Sequence, residues 1–383
     1  MQNQAIHESE QPNMLPPSAP KSARLPLFAR VCYALALICI PLYLLFLVSP
    51  AFADFFNRYI ASILRWILAK LTNLLPFSLA EFLLLMIPVF LVLAVRWGKK
   101  RFSDTWRDVG IYCLSILSLL ALLFSIFTLG FASGYRGKRL SEKLEITVTE
   151  VSADDLYETA LYLARQINRE SASVVYGSNG FSVMPYDFWE MNNRLDEAYD
   201  RACKKYDFVQ SMSSDIKPIM LSEPMSYTHI TGIYTFFTGE ANLNMAFPDY
   251  TLPYTAAHEL SHQRGIARED EANFMAFLVC SGSNDSYIRY CAYLNLYDYV
   301  IGDLYSADPE GYAQVQDVLC KAVKQERIAY AQFFQKYADS VASTVSGAVN
   351  DTYLTLQGTE GTRSYGLVTD LAVAYVKQLK IKY

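Results

Sequence analysis

A chain of 383 residues with 33 Lys+Arg, 38 Asp+Glu and 52% apolar residues carries a net charge of −5 and a mean hydropathy of +0.13. Without a dense basic stripe it has no footprint for the phosphates of nucleic acid, and with 28 Tyr and 22 Phe it has too much apolar surface for a disordered protein. Seven Cys without a CxxC spacing exclude a zinc ribbon and a regular disulfide framework.

Residues 1–29 are polar and proline-rich and read as a disordered cytoplasmic tail. Residues 30–134 read as a membrane region. Three apolar stretches, 31–53, 79–95 and 109–133, are candidate spans for a hydrocarbon layer ~30 Å thick. The segment 55–75 has Arg58, Arg65 and Lys70 among Trp66 and many Leu and Ile residues, which predicts an amphipathic helix lying on the membrane surface. Ala51-Phe52-Ala53 resembles a signal-peptidase site, but the preceding apolar run is long and further spans follow, so the first span reads as a retained anchor. Arg96, Lys99, Lys100, Arg101 and Arg107 collect between the second and third spans, which puts that loop and the N-terminus in the cytoplasm. Three crossings then leave residues 135–383 outside the cell. The expectation is a multi-pass protein of the cell membrane, with the lipid bilayer as a partner.

Beyond residue 146 the pattern changes. Ser152 with Asp155 caps a helix whose apolar face carries Leu156, Ala160, Leu163 and Ile167. Residues 187–208 predict a second helix. In 217–247, β-branched and aromatic residues are broken by Gly232 and Gly239, which suits a few short strands. Helices are predicted at 254–263, 268–281, 285–305, 311–337, 340–356 and 367–380. The fold class is a membrane α-helical anchor of three spans plus an α+β, helix-dominated domain with a small sheet.

Only four His occur, and two of them fall in His258-Glu259-Leu260-Ser261-His262. A spacing of four puts both imidazoles on one helix face, where two nitrogens converge on one Zn²⁺. Glu259, about 100° round the helix, then reaches a metal-bound water as general base. Gly265 ends this helix. A third ligand is needed, and Glu269 and Glu271 both lie close in sequence. Glu269 shares a helix face with Ala272, Asn273 and Ala276, so it is the preferred ligand with Asn273 as a partner for an imidazole. Glu271 is the reserve choice.

Upstream, Gly239-Glu240-Ala241-Asn242-Leu243-Asn244 predicts an edge strand able to bind an extended peptide by main-chain hydrogen bonds. Glu240, Asn242 and Asn244 then face the cleft or pin its loop. His229, with Tyr227 and Tyr234, is a candidate to polarise a substrate carbonyl. Cys280 and Cys291 read as small core residues.

The stretches "GIYTFFTGEANLN" (232–244) and "YTAAHELSHQRGIAREDEANFMAFLVC" (254–280), with "LPFSLAE" (75–81) and "SYGLVTDLAVAY" (364–375), resemble the bacterial multi-pass membrane family known as domain of unknown function 3810. That resemblance implies a three-span anchor and a zincin-like metallopeptidase domain. A looser similarity is to the gluzincins, whose third ligand is the Glu of an E-x-x-A-N helix, here Glu269 to Asn273. The chain departs from them in spacing, since only six residues separate His262 from Glu269.

Together these residues point to a membrane-anchored zinc metallopeptidase acting on peptides or proteins at the outer face. His258, His262 and Glu269 hold Zn²⁺ and Glu259 acts on the water. The alternative is a non-catalytic sensor or scaffold whose zinc clips two helices together. A transporter fits less well, because no ionisable residue falls in mid-span.

Overall fold

The computed structural model describes residues 24–101 and 105–382. Most of the predicted tail lies outside the described residues. The chain opens with α1 (Leu27–Val48), then α2 (Pro50–Phe56), a π-helical turn (Asn57–Ala61) and α3 (Ser62–Thr72). The first apolar helix therefore ends at Ser49 rather than at residue 53. The Ser49 hydroxyl accepts the Phe52 N–H and Pro50 follows it, a start signal for a separate helix.

Next come α4 (Leu79–Leu85), α5 (Ile87–Arg101) and α6 (Trp106–Gly130). α1 and α6 are long and apolar enough to cross a membrane. They run parallel, side by side: the Tyr33 hydroxyl donates to the Leu114 carbonyl at one end, and Phe46 and Phe127 share a buried cluster at the other. The chain between them must therefore return, and α4 and α5 supply the return path. The start of α4 is held beside the sheet by Glu240, while Ala94 of α5 accepts the Tyr112 hydroxyl near the start of α6. This pair is bent by 52° at Met86, where Pro88 has no N–H to continue the ladder.

The predicted surface segment 55–75 is helical, but its central cation does not face water. Arg65 is 2% exposed and donates to the Gly130 carbonyl and to Asn57. Arg58 pairs with Asp207, and Lys70 reaches the Ser213 carbonyl. Acceptors within the protein, rather than hydration, satisfy the buried Arg65, while Arg58 and Lys70 stay exposed.

A short helix α7 (Leu140–Lys143) leads to α8 (Ala153–Ser171), α9 (Phe188–Lys205), β1 (Lys217–Pro218), α10 (Ser222–Ser226), β2 (Gly232–Thr235) and β3 (Glu240–Leu243). The Ser152–Asp155 capping box starts α8 as predicted. The sheet order is β1-β3-β2, with β1 parallel and β2 antiparallel to β3. β3 is thus the central strand, which corrects the expectation of an edge there. The exposed edge of the sheet is β2.

The rest is helical: α11 (Leu252–Gln263), α12 (Glu269–Ser281), α13 (Ser286–Ala307), α14 (Pro309–Val318), α15 (Lys321–Gln335), α16 (Val341–Leu356) and α17 (Val368–Lys382). The single helix predicted over 311–337 is two. The Asn168 side chain donates to the Val318 carbonyl and accepts the Cys320 N–H, bracketing the break. α12 is buried on every side from Glu269 to Cys280, between α11, α9, α13 and α17. Cys280 and Cys291 are buried and free in this core.

Gly265, at φ +90°, makes the bend between α11 and α12. A Cβ there would stand 2.5 Å from the Arg65 guanidinium. Gly265→Ala should therefore cost about 2–4 kcal/mol, from left-handed strain plus overpacking, read as a lower unfolding midpoint of the purified protein in detergent.

Candidate metal centre

The bend at Gly265 folds α12 back against α11, and this brings the polar residues of the two helices together. His258 and His262 share one face of α11, and Glu269 opens α12. The His258 Nε2 lies 3.0 Å from the His262 Nε2 and 3.1 Å from Glu269 Oε2, and the latter is 3.3 Å from the His262 Nε2. Ligand bonds of ~2.0–2.1 Å in a tetrahedron set their donor atoms about 3.3 Å apart, so these three buried donors could hold one metal ion. The His262 Nδ1–H donates to the Ile266 carbonyl at 2.8 Å, which turns Nε2 toward the centre.

The charges agree with this grouping. Burial opposes ionisation of Glu269, but the two imidazoles outweigh it and hold the carboxylate far below its ordinary range. Burial likewise opposes charge on His262, yet Glu269 and then Glu259 lift it to about 9. Three such donors form the kind of site in which a divalent cation can take the place of the bound proton.

Glu259 lies beside these donors, against β2. A Cβ on Gly232 would fall 2.7 Å from its Cγ and Oε1, so the missing side chain is what admits the carboxylate. The Tyr234 N–H donates to it, and burial pushes its pKa up. β2 can do this because of its register. Asn244 N–H donates to the Thr231 carbonyl, so Thr231, Ile233 and Thr235 pair inward with β3, while the main-chain groups of Gly232 and Tyr234 face outward.

Glu271 lies off the centre. It accepts the Leu140 N–H and pairs with Arg268 and Arg139. Asn273 lines the same cavity, but its side chain meets the Tyr299 hydroxyl, and among the described residues no bond joins it to an imidazole. Glu240 turns from the cleft to cap α4 through the Leu79 and Ala80 N–H groups. Asn242 and Asn244 pin the hairpin, donating to the Ile233 and Ile230 carbonyls. His229 lines the cavity at φ +61°, with its Nε2 against the Tyr337 carbonyl.

The cavity holds about 910 Å³. Beyond β2, α11 and α12 its walls include Phe131 and Tyr135, from the chain leaving α6, and Asn350 and Tyr353 of α16. Tyr299, Tyr353 and Tyr365 also line it, in the field of Glu269, and burial pushes their hydroxyls up, the first two to about 12. These tyrosines, and Gly232, carry no motif of their own. Gly232 and Tyr365 stood within stretches singled out in the sequence, whereas Tyr299 and Tyr353 did not.

A family model described as "Protein of unknown function (DUF3810)" matches residues 56–373. The chain belongs to this family. The DUF3810 match takes in α4 to α6, Arg65, both helices of the centre and Tyr365, while α1 lies before it. Neither a curated protein nor a solved structure matches the chain.

Proposed function

We propose that this DUF3810 chain is a membrane-anchored zinc metallopeptidase that hydrolyses peptide bonds of peptides or proteins at the outer face of the membrane. The observation that carries the reading is the convergence of two imidazoles and one carboxylate, with a fourth side chain, Glu259, held next to them against an edge strand. A closed structural site needs no such carboxylate.

Zn²⁺ on His258, His262 and Glu269 would supply a Lewis acid for the scissile carbonyl and lower the pKa of a water. Glu259 takes the proton of the attacking water on a carboxylate oxygen and hands it to the departing amine. Burial pushes its pKa up, which makes it the stronger base for taking that proton. The outward N–H and C=O of Gly232 receive an extended peptide as an added strand. The protonated hydroxyls of Tyr299, Tyr353 and Tyr365 are donors for the developing oxyanion. For the anchor, the parallel run of α1 and α6 supports three crossings, with α4 and α5 as the bent middle one. Lys and Arg between the second and third crossings favour a cytoplasmic N-terminus.

The test is elemental analysis of the purified chain joined to a fluorogenic peptide assay. One zinc per chain is expected, with hydrolysis lost to a chelator, restored by Zn²⁺ and blocked by a hydroxamate. A chain with no zinc, unaltered by His258→Ala, overturns the site. Zinc that no hydroxamate reaches, with no hydrolysis, makes it a structural clip. Gly232→Ala should push Glu259 off its seat and lower kcat/KM about 10²-fold, with zinc content unchanged by the same elemental analysis.

A further inference from the structure

The outer surface of α16 is unusual for a helix that walls a polar cavity. Val341, Val345, Val349 and Leu356 are 80%, 59%, 66% and 71% exposed. At 3.6 residues per turn they fall within an arc of about 80°, with exposed Thr352 on the same arc and exposed Ala348 at its margin. The opposite face carries Ser343, Ser346, Asn350 and Tyr353, which line the metal cavity. Asp351 is the one charged residue of the helix. It sits beside the apolar arc, and its carboxylate accepts the Thr362 N–H and hydroxyl.

The position of α16 says what covers this face. Leu354 is buried in one cluster with Phe46, near the end of α1, and Phe127, near the end of α6, with Tyr43 packed against it. The Tyr353 and Phe127 rings lie 6.3 Å apart. α16 therefore meets the two apolar helices at the level where both leave their apolar stretch, among the aromatic residues that mark a membrane interface. Its exposed valines are continuous in character with the exposed Leu44, Leu45, Leu47 and Val48 of α1.

We propose that α16 is an interfacial helix whose outer face rests in the headgroup layer of the lipid bilayer while its inner face roofs the metal cavity. This rests on the reading of α1 and α6 as membrane spans. The occupant is lipid rather than a protein partner, because the face is uncharged and its helix packs against the ends of the two apolar spans. With no Lys or Arg in the helix, insertion depends on apolar area and not on anionic lipid. The cavity then lies at headgroup level, and its substrates are peptide segments held at the membrane surface.

The test uses the full chain in phosphatidylcholine vesicles, with single substitutions Val345→Cys, Val349→Cys and, on the exposed surface of α14, Glu310→Cys. Labelling of each added thiol by a water-soluble maleimide is followed by mass against the parent chain. Val345→Cys and Val349→Cys should label at least about tenfold more slowly than Glu310→Cys in vesicles, and at the same rate in detergent. Equal rates in vesicles overturn the proposal while leaving the anchor intact. A chain that alkaline carbonate strips from the vesicles overturns the anchor reading and the proposal with it.

Discussion

Glu259→Gln should lower kcat by about 10²–10⁴-fold, the usual contribution of a general base, and leave zinc bound. The amide is nearly isosteric, so it still fits the space that Gly232 opens and can still accept the Tyr234 N–H. What it cannot do is take a proton. Because Glu259 is not among the three converging donors, metal content should match the parent chain. Kinetics on a fluorogenic peptide and elemental analysis of the same preparation read both quantities. Full activity in the variant would sink the general-base role, and lost zinc would move Glu259 into the ligand set.

The two nearby glutamates should separate just as sharply. Glu269→Gln removes the only carboxylate among the donors, and its zinc affinity should fall by more than the about 10–100-fold that loss of an outer partner costs. Glu271→Gln should leave zinc affinity within a few fold, since its carboxylate is engaged by Leu140 and two arginines. Competition with a chromophoric chelator measures both. The same titration carries a pH signature. In the metal-free protein His262 is lifted to about 9, so below that pH zinc must displace its proton. Affinity should rise about tenfold per pH unit between 7 and 9 and flatten above. A pH-independent affinity, or zinc lost with Glu271 and kept with Glu269, would contradict the assignment.

The parts legible from sequence were those with a local period. The four-residue spacing of His258 and His262 and the glycine at 265 sufficed for α11, the bend and the start of α12, and the Ser152–Asp155 box sufficed for α8. Long-range partners left no such trace. Nothing around Glu240 signals that it caps α4, 160 residues earlier, so its strand read as an edge although it is central. Arg65 looked like one cation of a wetted helix face because its acceptors, Gly130 and Asn57, are set by tertiary packing. The break at Leu319 likewise depends on Asn168, far off in the chain. Tyr299, Tyr353 and Tyr365 converge on the cavity from three separate elements, a meeting that no spacing within one element encodes.

The buried guanidinium of Arg65 has a practical outcome. Its partner Asn57 donates to the Gly265 carbonyl, so the turn directly after His262 is braced from the hydrophobic N-terminal third, and Gly134 packs onto that same carbonyl. Trimming the gene to yield a water-soluble fragment would remove those braces together with Phe131 and Tyr135 from the cavity wall. Crystallisation, inhibitor screening and any engineered secreted version should therefore keep the whole polypeptide in detergent or nanodiscs.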